Sequence, residues 1–182
     1  IVNYTYWKWD SAMSPEFCRS SLEQIDWATA EQASISNGDP IIDLSYRRTD
    51  ILWQNAMQPL GCVARTYIES ANQQAGWNFL LGGQEDTQLG RYKSSDEGHY
   101  DWHMDVGPSN LSQRKLSIAI QLNDDYEGGE FQIWQGGKSY ITLPKQKGVA
   151  VLFPSYMMHR VAPVTNGTRK SLVLWVGGGR FR

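Results

Sequence analysis

The chain has 182 residues, a length that suits one domain with a sizeable hydrophobic core. Its 17 basic and 19 acidic residues give a net charge of −2, which argues against the basic surface that nucleic-acid or anionic-membrane binding requires. No apolar run is long enough to span a bilayer as a helix. Cys18 and Cys62 are too few and too far apart for a disulfide framework or a zinc site, so both are expected as buried thiols in a reducing compartment. Ile1-Val2-Asn3 shows neither an initiator Met nor a hydrophobic leader. The expectation is therefore a cytoplasmic protein, in which the sequons at Asn3, Asn110 and Asn166 carry no weight.

The first third, about 1–76, reads as helical support. Ser14-Pro15-Glu16 is a helix start: a capping hydroxyl, Pro at the first helical position, then an acid that the helix dipole favours. Phe17, Cys18, Leu22 and Ile25 follow at roughly helical spacing toward Trp27. Asn37-Gly38-Asp39-Pro40 is turn chemistry. A second helix is predicted over about 57–74, with Leu60, Val63, Ala64, Tyr67, Ile68 and Ala71 on its apolar face and Gly76 ending it. After Trp77 the texture changes to short apolar or alternating runs separated by Gly, Asp, Asn, Ser and Pro. Strands are predicted at 77–81, 87–92, 100–105, 115–122, 130–134, 138–141, 148–153, 158–161 and 171–177. No crossover helices separate them, which favours a sandwich or jelly roll over a parallel α/β fold. The expected fold class is therefore mainly β with N-terminal helices, in one domain whose core spans about 77–182. Segments 94–98 and 108–113 are loops whose composition suits a gate.

The chain has three histidines, His99, His103 and His159. Two histidines and one carboxylate can hold Fe(II) while leaving positions open for cosubstrate and O2. Two ligands separated by one residue on a strand share a face, so a His-x-Asp pair supplies two of them. Both His99-Tyr100-Asp101 and His103-Met104-Asp105 have this form, and strand spacing alone does not choose between them. The polar run Ser94-Ser95-Asp96-Glu97-Gly98 places His99 at a loop mouth and His103 deeper in the strand. A lone His-x-Asp is more often a surface histidine or a simple His–Asp hydrogen bond.

The ordered string that surrounds these residues adds weight. It runs Tyr100-Asp101-Trp102-His103-Met104-Asp105, then Arg114-Lys115-Leu116-Ser117 and Gln121-Leu122-Asn123. Tyr126-Glu127-Gly128-Gly129-Glu130-Phe131 comes next, then Gly148 to Pro154. His159-Arg160-Val161-Ala162-Pro163-Val164 and Gly167-Thr168-Arg169-Lys170-Ser171 close it. This string resembles the 2-oxoglutarate/Fe(II)-dependent oxygenases, and among them the prolyl-hydroxylase group with its PKHD-type hydroxylases. The resemblance implies a double-stranded β-helix, a jelly roll with helices packed on one sheet. The family's aromatic three residues before the metal histidine matches Tyr100 before His103, whereas Asp96 stands before His99. The implied metal ligands are thus His103, Asp105 and His159.

The resemblance also implies that Arg169 pairs with the far carboxylate of 2-oxoglutarate, helped by Ser171 on the same strand face and by the Tyr92 phenol. A guanidinium suits that task because it stays charged and meets a carboxylate with two parallel hydrogen bonds. Gly128-Gly129-Glu130 reads as a tight turn entering a strand. His99, Asp101 and Trp175 are expected at the substrate rim. The implied cofactors are Fe(II), 2-oxoglutarate and O2, with ascorbate as an accessory reductant, and the implied products are succinate, CO2 and a hydroxylated substrate. Peptidyl proline, in a peptide or protein partner, is the leading substrate. A free amino acid or other small molecule is the alternative. Outside this class stand a non-catalytic jelly-roll binding module and a cupin-type metalloenzyme, although cupins usually offer more histidine ligands than this chain holds.

Overall fold

The computed structural model describes residues 4–36 and 40–179. Asn3 and most of the expected turn at Asn37-Gly38-Asp39-Pro40 lie outside them. In chain order the elements are β1 (Trp7–Trp9), α1 (Pro15–Glu23), β2 (Glu31–Gln32), β3 (Ile35–Ser36), β4 (Pro40–Ile41), β5 (Arg47–Arg48), β6 (Asp50–Gln54) and α2 (Pro59–Gln74). There follow β7 (Leu81–Gln84), β8 (Thr87–Lys93), β9 (His99–His103), β10 (Arg114–Gln121), β11 (Tyr126–Gly128), β12 (Phe131–Gly136), β13 (Ser139–Thr142), β14 (Ala150–Pro154), β15 (His159–Val161) and β16 (Val164–Gly178). Among the described residues, a nine-stranded sheet runs β1-β14-β10-β16-β8-β6-β2, with β7 and β11 also paired to β16. A second sheet runs β13-β12-β15-β9-β5.

Both helices start where the sequence says. The Ser14 hydroxyl accepts from the Phe17 N–H at 3.1 Å, and Pro15 opens α1. α1 stops at Glu23, short of Trp27, which begins a separate 3-10 turn. α2 ends at Gln74, and Gly76 takes a left-handed φ of 74° beyond it.

The helices cover one face of the large sheet because β10 and β16 alternate strictly. Leu116, Ile118 and Ile120 of β10, with Leu172, Leu174 and Val176 of β16, pack against Leu60, Ala64, Ile68 and Ala71 of α2. Each such aliphatic side chain, once buried, stabilises by about 1.5–3 kcal/mol. The intervening residues, Ser117, Ala119 and Gln121 and then Arg169, Ser171, Val173 and Trp175, turn toward the space between the sheets. There the second core collects Ala119, Phe131, Ile133, Val151, Phe153, Val161 and Val164. Polar residues on strands buried on both faces are thereby committed to the inter-sheet space.

Several expectations need correction. The first third is not helical cover alone, since β1, β2, β5 and β6 come from it and join the two sheets. These strands are two to five residues long, too short to show a period. Residues 77–80 form no strand: Asn78 has a left-handed φ of 51°, and the Asn72 side chain brackets Phe79, accepting from its N–H and donating to its C=O. β16 begins at Val164, seven residues before the predicted start, because Gly167 at φ 75° carries the strand through an apparent turn beside β11. Cys18 is buried, but Cys62 is exposed on α2.

Candidate metal centre

His103 ends β9 and His159 begins β15, and the two are direct partners in the antiparallel register. Asp105 lies two residues beyond β9, not within a continuous strand as expected. It is carried back by its N–H, which donates to the Ser155 carbonyl at 2.9 Å. The three ligand atoms lie within 4.8 Å of one another. Asp105 Oδ1 is 3.7 Å from His103 Nε2, and Oδ2 is 3.6 Å from His159 Nε2.

The tautomer of each ring follows from its neighbours. His103 Nδ1 lies 2.7 Å from the Asp101 carbonyl and His159 Nδ1 lies 2.8 Å from the Met157 carbonyl. A carbonyl only accepts, so each Nδ1 carries a proton, which leaves each Nε2 as the nitrogen facing Asp105 that can ligate a metal. Burial pushes the His103 imidazole down to about 3, and the adjacent His159 adds to this, so His103 is neutral at physiological pH. Burial opposes ionisation of Asp105, but the two histidines and the Ser117 hydroxyl, 2.7 Å from Oδ2, hold its carboxyl below the usual range. Two imidazole nitrogens and an ionised carboxylate on one side of a cavity fit a divalent ion such as Fe(II) with open coordination positions.

The cavity beside this cluster measures about 540 Å³ and lies between the two sheets. Deep in it, Arg169 of β16 is 1 % exposed. Its Nη1 donates to Ser171 Oγ at 2.9 Å, and its guanidinium carbon sits 5.1 Å from the centre of the Tyr92 ring on β8, directly across the ladder. Arg169 Nε has no hydrogen-bond partner, and no carboxylate among the described residues lies within ion-pair distance of the guanidinium. A buried, uncompensated cation of this kind is costly, and an anionic ligand relieves it. Arg169, Ser171 and Tyr92 thus meet in one place that fits the far carboxylate of 2-oxoglutarate.

Two expected rim residues do not line the cavity. Between His159/His103 and Val161/Tyr100 the register shifts by a bulge, which breaks the simple alternation along β9. Tyr100 therefore shares a face with His103, stacking on it at 3.5 Å and 12°, and burial pushes its phenol up to about 12. His99 turns away, its ring held between the Glu97 and Ser45 carbonyls. Asp101 is exposed and accepts from the Trp102 N–H. Trp175 does line the cavity, between Trp53 and the Arg114 guanidinium, which lies 3.9 Å over its ring. Leu111, in the predicted gate segment 108–113, lines it too.

Sequence reasoning missed four contributors. Arg114 forms a two-pronged ion pair with Glu85 at 2.6 and 2.5 Å. Tyr126 lies beside Arg169, whose charge offsets part of the upward push that burial gives its hydroxyl. Arg47 of β5 and Gln88 of β8 also line the cavity. None of the four stood out alone; Gln88, for example, lies in a strand that also carries Thr87, Arg91 and Lys93.

Comparison with known proteins agrees with this geometry. The 2OG-Fe(II) oxygenase superfamily matches over residues 87–177, the stretch that holds the histidines, Asp105 and Arg169. The chain belongs to the 2OG-Fe(II) oxygenase superfamily. A PKHD-type hydroxylase of Synechococcus sp. (strain CC9311) is 38% identical over 119 residues, covering 62% of this chain and 54% of the relative. Another, from Synechococcus sp. (strain CC9902), is 43% identical over 81 residues, covering 42% and 35%. The chain thus spans about half, or less, of the length of these curated relatives. Among solved structures, the viral collagen prolyl hydroxylase from Paramecium Bursaria Chlorella virus-1 superposes with a TM-score of 0.73 at 18% identity, covering 97% of each chain. A Pseudomonas putida prolyl-4-hydroxylase gives 0.72 at 18% identity, covering 97% of this chain and 94% of that one. These likenesses establish the jelly-roll fold.

Proposed function

We propose that the chain holds Fe(II) through His103 Nε2, Asp105 and His159 Nε2, anchors 2-oxoglutarate on Arg169 with Ser171 and Tyr92, and hydroxylates a peptidyl proline. The observation that carries this reading is the pairing of a three-ligand cluster with a buried, uncompensated guanidinium in one cavity. When bound, the iron and its cosubstrate would supply the oxidising chemistry: O2 is reduced, 2-oxoglutarate becomes succinate and CO2, and one oxygen atom enters the substrate C–H bond.

The chain's own residues then have defined tasks. The Asp101 and Met157 carbonyls fix the two imidazoles as lone-pair donors toward the ion. Ser117 holds Asp105 in its orientation and is itself 2.9 Å from the Ser155 hydroxyl. Arg169 orients the cosubstrate from the far end, while Phe131, Val161, Ala119 and Val173 keep the intervening space apolar and poor in water. The proline substrate is supported by the PKHD-type relatives and by the prolyl hydroxylase folds.

Incubation with Fe(II), 2-oxoglutarate, air and a library of proline-containing peptides tests the whole reading. A mass gain of one oxygen on proline, matched by succinate, is the expected result. Succinate formation without any modified proline peptide would remove the proline assignment, and no iron-dependent succinate under any condition would remove the reaction.

A further inference from the structure

The cavity holds a second guanidinium whose purpose the metal and the cosubstrate do not explain. Arg47 lies on β5 at the edge of the smaller sheet and is 7 % exposed. One arm, Nη2, donates to the neutral amide oxygen of Gln88 at 2.8 Å, and Nε is buried with no partner. Its guanidinium carbon sits 4.3 Å over the Tyr100 ring, which in turn lies flat on His103. Arg47 is therefore two stacked layers from His103.

The charge balance makes this position informative. The charged residues lining the cavity are Arg47, Asp105, Arg114 and Arg169. Arg114 is neutralised by Glu85. A divalent ion and a dianionic 2-oxoglutarate cancel each other, and Asp105 cancels Arg169, which leaves Arg47 as one uncompensated positive charge. A buried guanidinium that keeps a donor unpaired and has no counter-ion among the described residues is expensive, and its place in a cavity makes sense where a ligand completes it.

We propose that Arg47 is a specificity-determining residue that receives a carboxylate of the primary substrate, within about one residue of the carbon that is hydroxylated. The inference rests on the metal-and-cosubstrate reading above. It narrows the substrate class to molecules with an anionic group beside the reacting carbon: a free or C-terminal residue, or a residue flanked by an acidic side chain. A guanidinium can meet a carboxylate with two parallel hydrogen bonds, and Arg47 spends a single N–H, from Nη2 to Gln88, on the rest of the chain. Gln88 holds the guanidinium in place.

The test is equilibrium binding, measured by calorimetry on protein loaded with Mn(II) and 2-oxoglutarate without O2, so that no turnover intervenes. One arm uses N-acetyl amino acids, proline included, each as the acid and as the primary amide. The second arm uses capped dipeptides in which the residue next to proline is Glu or Gln. The wild-type protein should bind at least one acid about tenfold to a hundredfold more tightly than its amide, the span expected for a charge-assisted hydrogen-bond pair. Which arm shows the difference tells a terminal carboxylate from a side-chain one. Arg47→Gln should bring acid and amide to within about twofold, and Arg47→Lys should keep part of the preference. A purely structural role for Arg47 would lower both affinities together and leave their ratio unchanged. Equal binding of every acid and its neutral partner in the wild type, or an acid preference that survives in Arg47→Gln, overturns the proposal. A preference confined to a residue other than proline keeps this proposal and removes the proline assignment. Turnover of proline peptides with no acid preference does the reverse.

Discussion

The imidazoles of His103 and His159 and the carboxylate of Asp105 are only as good as the groups that aim them. Ser117 is the least replaceable of these. It sits among Leu116, Ile118 and Ala119 on a strand buried on both faces, and its hydroxyl donates to Asp105 Oδ2 at 2.7 Å. Ser117→Ala removes this donor from a buried carboxylate, and metal affinity should fall on the order of tenfold, measured by competition with a chelator, while the fold is kept. Unchanged affinity would mean that the two histidines alone orient the ion. Arg169→Ala should raise the 2-oxoglutarate concentration needed for half-maximal succinate release by about tenfold to a hundredfold, since a charge-assisted pair is lost. A proportional loss of maximal rate with no change in that requirement would assign Arg169 to another step. The proposed metal triad can be picked out of the amino-acid sequence because the chain has only three histidines and the string around them is ordered. Arg47 cannot, since Arg47-Arg48 in a polar stretch reads as surface charge; only the fold shows that one of the pair is buried.

At the scale of elements, strands that alternate over many residues are visible in the sequence, and those of two or three are concealed. β10 is readable because Leu116, Ile118 and Ile120 alternate with Ser117, Ala119 and Gln121. The bulge in β9 is not, because two overlapping His-x-Asp pairs have the same period and only the pairing with β15 shifts the face. That bulge explains in physical terms why an aromatic three residues before the metal histidine can lie on it. The turn between β11 and β12 has a more specific role than entering a strand. A Cβ at Gly129, where φ is +64°, would stand 2.9 Å from Val164 Cγ2 and 3.1 Å from Arg169 Cδ. Gly129→Ala should therefore displace the arginine stem and weaken 2-oxoglutarate binding several-fold, in addition to about 1–2 kcal/mol of left-handed backbone strain. Gly136→Ala is the control, because its φ is +108° and its Cβ would meet nothing within 4 Å. It should lower stability without changing the 2-oxoglutarate requirement; the same loss of 2-oxoglutarate affinity in both variants would attribute the effect to strain alone.

For the whole molecule, the cavity is a place where stability has been given up. Two imidazoles, an ionised carboxylate and two guanidinia with no counter-ion among the described residues lie between the sheets, beside the second hydrophobic core. Ligands that bind only the folded chain recover that loss by mass action, about 2.7 kcal/mol at one hundred times Kd. For a chain of this size each kcal/mol moves the midpoint by about 2–4 °C, so saturating Mn(II) with 2-oxoglutarate should raise Tm by roughly 5–10 °C. Removing the metal with a chelator should reverse nearly all of the shift, because 2-oxoglutarate alone gains only the Arg169 end. His159→Ala should show no metal-dependent rise while keeping a small response to 2-oxoglutarate, and Arg169→Ala the opposite: a metal response with little added by 2-oxoglutarate. If both variants lost both responses equally, the two halves of the site would be coupled through the fold, and the separate assignments to metal and to carboxylate would have to be abandoned.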